Sequence, residues 1–317
     1  MLKQIQLKIS KIKYAGDSLG DDMRIEIECL DKFAGFNKKL KCGSERKLDE
    51  IVGTFFADGA SFALPINIKI IERDLIFNDV GSSKADFKVN LNNDQPQVKI
   101  YKIEVQELRN FFSKKKAVFE LTMEALVSDV IGYVNLTDDG WLETKRADGK
   151  HISLPFCLKV QIHHTKSGRE YFTILEGPWQ GTDASVILGQ EKTRFSLDNP
   201  HTEPVSITYS ISKKTARFKN KVYATIDYPN SQWKKGLYDI EIPDSPHEGG
   251  EAYLDRAKLA KVWFHIGHSG ALYFHPGSYS LGCMTLTQIH RWDALCKILI
   301  KARKGDSQSI GTLEVVD

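Results

Sequence analysis

The stretch His265-Ile-Gly-His-Ser-Gly-Ala-Leu-Tyr-Phe-His-Pro-Gly-Ser-Tyr-Ser-Leu-Gly-Cys283 places three histidines ahead of one cysteine and ends in a Ser-x-Gly-Cys turn. A thiol is mostly protonated at neutral pH, and a neighbouring imidazole commonly converts it into a thiolate nucleophile. Gly282 allows the chain to turn sharply before the cysteine, so that nearby N–H groups can face a developing oxyanion. The stretch therefore predicts a cysteine acyl-transfer site.

The sequence on both sides of this stretch predicts strands and one helix. Alternating residues at Lys261–Ile266 predict a strand that carries His265 near its end. Apolar residues recur at helical spacing from Gln288 to Arg303 and predict a helix with Thr287 as its N-cap. Cys296 lies on the apolar face of that helix, so we expect it to be buried.

Taken together, these features resemble the catalytic domain of L,D-transpeptidases of the YkuD type. Members carry a histidine, a short gap and then Ser/Thr-x-Gly-Cys, and here fourteen residues separate His265 from Ser280. Lys235-Gly-Leu-Tyr-Asp-Ile-Glu-Ile242 resembles the family's Pro-x-Gly-x-Tyr-x-Ile strand, and the last helix and the Gly-x-x-x-Val strand resemble its C-terminus. The likeness covers residues 203–317.

The resemblance implies a reaction and a set of site residues. Cys283 would attack the carbonyl of the L-centre third residue of a peptidoglycan stem peptide, with His265 as the base. The outcome is left open between L,D-transpeptidation, D-amino-acid exchange and L,D-carboxypeptidase hydrolysis, and no cofactor is implied. Gly282 and Ser280 would shape the oxyanion turn, and the substrate-lining candidates are His268, His275, Gly267, Tyr238 and Thr285.

Two positions depart from the family pattern. Leu281 stands where many members have histidine, and Thr285 stands where many have arginine or asparagine. Because the second position helps to shape the pocket, the departures bear on the substrate more than on the chemistry. They are typical of a divergent member.

The N-terminal part of the chain resembles a C2 domain, a β-sandwich whose end loops carry aspartates for calcium. The resemblance rests on two polar loops within residues 1–125, and it implies a membrane-surface or calcium-binding role. Ordinary Asx-rich turns are the alternative interpretation. Oxygen ligands for Ca²⁺ could come from Asp17, Asp22, Glu72, Asp74 and Asp79, although Glu72 stands where C2 domains usually have aspartate.

We therefore expect a mainly β protein with three domains. Residues 1–125 are predicted to form an N-terminal C2-like β-sandwich for targeting. Residues 126–202 are predicted to form a small β-module or connecting hairpins, because turns such as Asp138-Asp-Gly punctuate strand-like runs. Residues 203–317 are predicted to form a C-terminal L,D-transpeptidase-like β domain with one C-terminal helix.

Two alternatives from other functional classes use the same residues. His265, His268, His275 and Cys283 could instead form a zinc site, although their strand-and-turn location does not supply the usual helical pairing. A non-enzymatic β protein that targets an envelope or a membrane is the other alternative. The spaced pair of His265 and Cys283 favours the enzyme.

Composition limits the partners. A formal net charge of +3 gives no indication of nucleic-acid binding, and five cysteines without a C-x-x-C pair argue against a disulfide framework. The sequence has neither a signal peptide nor an apolar run long enough to span a membrane, so we expect synthesis in the cytosol. Export to the cell envelope by a specialised secretion system, with an immunity protein as a further partner, is favoured over a cytosolic role on recycled muropeptides.

Overall fold

The computed structural model describes residues 1–73, 78–107, 115–228 and 233–317. The chain divides into two compact units, Met1–Val130 and Ile131–Asp317. Strands dominate both units and a helix lies near the C-terminus, so the expected mainly β fold is confirmed. The finer division into three domains stays a prediction.

Within the described residues, the first unit consists of eight strands in two antiparallel sheets. The sheet orders are β3-β2-β5-β6 and β4-β1-β8-β7. The strands are β1 (Lys3–Gly16), β2 (Asp22–Cys29), β3 (Lys32–Lys39), β4 (Glu45–Ala57), β5 (Ser61–Glu72), β6 (Asp79–Asn90), β7 (Gln97–Gln106) and β8 (Lys116–Val134), whose last residues belong to the second unit.

A shared apolar core holds the two sheets of the first unit together. Successive residues of a strand point to opposite faces, so alternating sequences bury one face of each sheet. In β1 the buried set includes Ile5, Leu7 and Ile9, and in β5 it includes Ile68 and Ile70. The alternation read from the sequence thus specifies which face of each strand is inside.

In its described residues, the second unit contains two sheets and one α-helix. One sheet has the order β10-β9-β13-β12-β11, and the other has the order β18-β22-β15-β16-β17-β21-β20-β19. The elements are β9 (Trp141–Arg146), β10 (His151–Pro155), β11 (Lys159–Lys166), β12 (Arg169–Ile174), β13 (Asp183–Ile187), β14 (Phe195–Ser196), β15 (Val205–Ser210), β16 (Thr215–Phe218), β17 (Lys221–Ile226), β18 (Gly236–Glu241), β19 (Phe264–His265), β20 (Tyr273–Pro276), β21 (Met284–Leu286), α1 (Trp292–Leu299) and β22 (Ser309–Val316).

The eight-stranded sheet closes on itself. Its first and last strands, β18 and β19, meet through an antiparallel bridge between Ile240 and Ile266, and the Gly267 N–H donates to the Asp239 carbonyl at 2.8 Å. In an antiparallel pair the residues on either side of the bridge are also neighbours. The closure therefore brings Glu241 of β18 next to His265 of β19.

The helix packs against this part of the sheet, but it is shorter than the sequence predicts. α1 is preceded by a 3₁₀ turn at Ile289–Arg291, and Thr287 does not cap it, because the Thr287 hydroxyl donates to the Ala224 carbonyl. Trp292 is fully buried and contacts the rings of Phe264 and Phe274. Cys296 is also buried, as expected. In the described part of the chain, no helix has the length and apolarity needed to cross a membrane.

Candidate active site

Cys283 lies immediately before β21 and is partly buried. Its thiol donates to the Ala271 carbonyl, with 3.6 Å between sulfur and oxygen. Burial raises the pKa of the Cys283 thiol, and a hydrogen bond from the Tyr273 backbone lowers it by a smaller amount. The cysteine is therefore held as a protonated thiol in this conformation, which fits its role as a donor to a carbonyl.

His265 ends β19 with both ring nitrogens close to acceptors. Nδ1 lies 2.8 Å from Glu241 Oε2, and Nε2 lies 3.1 Å from the Gly270 carbonyl oxygen. The carboxylate and the carbonyl oxygen both accept, so each ring nitrogen donates in this conformation; Nε2, which faces the uncharged acceptor, is the atom that can exchange its proton with a substrate or a thiol once the Gly270 contact is broken. The ring is fixed by a carboxylate in the way that catalytic imidazoles are oriented.

Strand register places the cysteine and the histidine at the same end of three neighbouring strands. His265 pairs with Tyr273 across β19 and β20, and Phe274 pairs with Met284 across β20 and β21. Cys283 therefore lies on one side of Tyr273 and His265 on the other. Neighbouring strands are about 4.8 Å apart, so the two backbones are separated by roughly 10 Å. No hydrogen bond joins the thiol to this imidazole. The thiol bonds Ala271, whereas the imidazole bonds Gly270 and Glu241.

One loop, residues 267–272, connects β19 to β20 and supplies both of those carbonyl partners. We call it the cover loop. Its start is fixed by the hydrogen bond from Gly267 to Asp239, and its end is fixed by the Leu272 carbonyl, which accepts from Ile266. Gly267 has φ of +78°, in the left-handed region that favours glycine. The cover loop thus lies over the thiol and the imidazole together.

A chain of hydrogen-bonded charges extends from His265 to the surface. Glu241 also bonds His268, with 2.7 Å from Nδ1 to Oε1, and His268 bonds Asp239, with 2.9 Å from Nε2 to Oδ2. Lys304 Nζ completes the chain at 2.6 Å from Asp239. The pKa of His268 is raised by its hydrogen bonds to Asp239 and Glu241. The pKa of Asp239 is lowered by its hydrogen bond to Lys304 and, to a smaller extent, by its hydrogen bond to His268.

Tyr273, between the two reactive residues, is held by a second carboxylate. Its hydroxyl donates to Asp244 at 3.3 Å, and its ring centroid lies 5.0 Å from that of His265. Burial and the charge of Asp244 raise the pKa of Tyr273 to about 12. The phenol is therefore protonated at neutral pH. It supports the site as a fixed donor and a packing surface.

The turn before Cys283 is braced by one hydroxyl. Ser280 Oγ donates to the Cys283 carbonyl at 2.8 Å and accepts from the Gly282 N–H at 3.2 Å. Gly282 has φ of +129°, where a side chain would be strained. These contacts fix the backbone that carries the nucleophile. Leu281, at the departing family position, is 77% exposed on this turn.

The predicted substrate-lining residues fall into two groups. His268 and Gly267 belong to the cover loop, whereas His275 and Thr285 are buried and bond each other, with 3.0 Å from Nε2 to Oγ1. Tyr238 lies on β18 and donates to the Lys234 carbonyl. The first group is bound to β18, where His268 shares Glu241 with His265, and a substrate contact by any of these residues stays a prediction.

Buried His275 has a ring environment of its own. Trp263 is stacked between the imidazoles of His247 and His275, at centroid distances of 4.5 and 3.9 Å. Burial lowers the pKa of His275 to about 4. It is therefore a neutral core histidine that stabilises the strands behind the site.

Neither metal hypothesis finds a converging set of ligands. Among the described residues, no group of three or more His, Cys, Asp or Glu side chains could hold a metal ion. In the first unit, Asp22 pairs with Arg73, the Asp17 carboxylate accepts from the Lys116 N–H, and Glu72 and Asp79 are buried. Asp74, also part of the calcium prediction, lies outside the described residues. Calcium binding stays a prediction.

The sequence interpretation missed Glu241. The only sequence signal was its position in Gly236–Ile242, the strand that resembles the family's Pro-x-Gly-x-Tyr-x-Ile segment. Its role depends on the closure of the sheet, which joins residues 24 positions apart. Asp244, which holds Tyr273, was missed for the same reason.

Comparison with known proteins gives little similarity. No family model matches the chain, and no curated protein matches it. Among solved structures, a C2 domain of plant extended synaptotagmin 1 is 12% identical, with a TM-score of 0.21, and the match covers 39% of this chain and 93% of that one. Human GIVD cytosolic phospholipase A2, in complex with methyl gamma-linolenyl fluorophosphonate, is 11% identical with a TM-score of 0.24, over 81% of this chain and 36% of that one. At these TM-scores neither likeness bears on what this chain does.

Proposed function

We propose that the second unit is a cysteine peptidyl-transferase that acts on peptidoglycan stem peptides, with Cys283 as nucleophile and His265 as base. The resemblance of residues 203–317 to L,D-transpeptidases supplies the substrate class. The observation that carries the proposal is local: Cys283 and His265 share one sheet end under one loop, and Glu241 orients the imidazole.

The proposed reaction has two halves. His265 takes the thiol proton, and the sulfur attacks the carbonyl carbon, whose oxygen becomes an oxyanion. The C–N bond then breaks, His265 returns the proton to the departing amine, and a Cys283 thioester remains. An amine attacks the thioester in transfer, or water attacks it in hydrolysis, and either regenerates the thiol. Before the first proton transfer, the thiol must exchange Ala271 for His265 as its acceptor.

Glu241 acts in this scheme as a positioning residue. Its carboxylate holds a proton on Nδ1 of His265 and stabilises the imidazolium that forms when the thiol is deprotonated. A positioned acid–base group of this type contributes about 10²- to 10⁴-fold to a rate. Glutamine at position 241 would keep the size and lose the charge.

The test is mass spectrometry of the purified protein with tetrapeptide muropeptides. We expect wild type to release D-alanine, to exchange it or to form a cross-link. Cys283→Ala and His265→Ala should each lose at least about 10³-fold of that activity. Glu241→Gln should lower kcat about 10²-fold with little change in KM.

The matched control is Cys42→Ala, because Cys42 is an exposed cysteine that belongs to the first unit. It should keep full activity. A carbapenem, which acylates the resembling family, should add its mass to Cys283 in the control and to no cysteine in Cys283→Ala. Full activity of Cys283→Ala, or adduct on another cysteine, would reject the assignment.

A further inference from the structure

The cover loop occupies the hydrogen-bonding positions that the proposed reaction needs. Its Gly270 carbonyl lies against Nε2 of His265, and its Ala271 carbonyl accepts from the Cys283 thiol. While both bonds are made, the thiol cannot donate to the imidazole. The conformation is therefore a closed one, and the loop must shift before a proton can pass from sulfur to nitrogen.

Besides its backbone hydrogen bonds, the cover loop is tied to β18 by one of its own side chains. Among the described residues, His268 makes the loop's only polar side-chain contacts, and both are to carboxylates of β18, Glu241 and Asp239. The side chain is 53% exposed, so it can exchange protons with solvent. The middle of the loop, including Gly270 and Ala271, is exposed. The loop thus depends on this one residue for its attachment by side chain.

The protonation state of His268 decides how many of those bonds can form. A neutral imidazole carries one N–H and can donate to one carboxylate, so its second nitrogen would present a lone pair to the other. The charged groups around the ring are Glu241 and Asp239 on β18, and Lys304 and Asp306 beyond α1. His265 shares Glu241 from the other side. Only the doubly protonated ring satisfies both carboxylates.

We propose that His268 is a pH-dependent latch that regulates access to the acyl-transfer site. Doubly protonated, it holds the cover loop over Cys283 and His265. When it loses a proton it releases one carboxylate, the loop opens, and the thiol becomes free to meet the imidazole. As a statement about regulation of that site, the inference rests on the proposed function.

The direction of the pH effect follows from the partners. Because the two carboxylates raise the pKa of His268, the latch is engaged below the ordinary imidazole pKa and is lost as pH rises through the raised value. Closure therefore belongs to acidic pH, and opening to neutral or alkaline pH. Acyl transfer should follow the same profile.

The experiment measures opening without any substrate. In a Cys42→Ala background, Cys283 is alkylated with iodoacetamide from pH 5.5 to pH 8.5, and its rate is read by peptide mass spectrometry. At each pH we compare the alkylation rate of His268→Gln with that of the parent as a ratio. The ratio cancels the effect of pH on the ionisation of the thiol itself. An exposed ion pair of this kind favours the bound position of a group over the free one by a factor of about 2 to 5. We expect a ratio of about threefold at pH 5.5 and about one at pH 8.5.

Controls separate the latch from simpler effects. His290→Gln removes another exposed histidine and should give a ratio of one throughout. Asp239→Asn removes the negative charge at the other end of a latch bond and should shift the ratio in the same direction as His268→Gln. If His268 acted only as a nearby positive charge, its loss would slow alkylation at acidic pH, because the thiolate would be less stable.

Each outcome decides a different statement. A ratio that is flat across pH, or below one at pH 5.5, overturns the latch. If the ratio depends on pH but the protein is inactive on muropeptides, the latch stands and the proposed function is rejected. If the protein is active but the ratio is flat, the proposed function stands and the latch is rejected. Urea unfolding of each variant verifies that the compared proteins are folded.

Discussion

Two clusters in the second unit each centre on a glutamate held by two basic side chains, and they differ in burial. In one, Glu176 lies between Arg303 and His201, and both the carboxylate and the guanidinium are almost fully buried. In the other, Glu241 lies between His265 and His268, and the second histidine is half exposed. The first cluster is closed to water, and the second meets it.

Burial changes what the hydrogen bonds do. Arg303 bonds both oxygens of Glu176 and also the carbonyls of Cys157, Ile300 and Ala302. Burial alone raises the pKa of Glu176, but the hydrogen bonds of His201 and Arg303 outweigh it and lower that pKa to about 2. Glu176 therefore stays ionised over the physiological range. The Glu241 cluster can change state there, because His268 exchanges protons with solvent. A glutamate held by a buried arginine is therefore a fixed brace, whereas a glutamate held by a half-exposed histidine is an adjustable one.

The largest expected effect comes from breaking the buried cluster. Arg303→Met would leave Glu176 buried beside fewer partners, and removing one member of a buried pair costs about 3–5 kcal/mol of unfolding free energy. Urea unfolding at pH 7 measures it. Arg256→Met is the control, since Arg256 is exposed, and should cost less than about 0.5 kcal/mol. A loss below about 1 kcal/mol for Arg303→Met would mean that this cluster is not a brace.

His275, a buried histidine with no carboxylate partner among the described residues, extends the comparison to the pH dependence of stability. His275 has a pKa of about 4 in the folded protein, below the ordinary 6.5, so the unfolded chain binds the proton more readily. Stability is then unaffected above pH 6.5 and falls as pH drops from 6.5 towards 4, by about 3 kcal/mol in total. His275→Gln should remove this slope when unfolding is followed from pH 7.5 to pH 4. An unchanged slope in the variant would assign the acid loss to other groups.

The sequence anticipated the elements of the site better than their connections. The sequence placed His265 near the end of a strand over Lys261–Ile266, and a strand does carry it, although β19 is only Phe264–His265. It could not indicate Glu241, because that residue reaches His265 only when the sheet closes through Ile240 and Ile266. Long-range closure leaves no local pattern in the chain.

The helix and the buried histidine show two further limits of local patterns. Helical spacing correctly identified the buried face of α1, yet the ends differ, since Asp293 accepts from the backbone N–H groups of Lys258 and Leu259 and the first turn is 3₁₀. The histidine pattern grouped His275 with the site, although Trp263 covers its ring. Periodicity reports which face is apolar, whereas caps and covering rings come from distant segments.

The smallest effect tests the exposed cluster at its outer end. Lys304→Met removes a cation 2.6 Å from Asp239, and because Lys304 is 38% exposed the loss of stability should be below about 0.5 kcal/mol. Without that competing cation, Asp239 would attract the His268 proton more strongly, so the pKa of His268 should rise further. NMR titration of His268 measures the shift directly, and the alkylation ratio should approach one at a higher pH than in the parent. The Lys304→Met substitution should not change the pKa of Glu176 in the buried cluster. A downward shift of the His268 pKa would contradict this prediction, because it would show that Lys304 strengthens the bond between Asp239 and His268 rather than competing with it. The exposed cluster would then be held as firmly as the buried one.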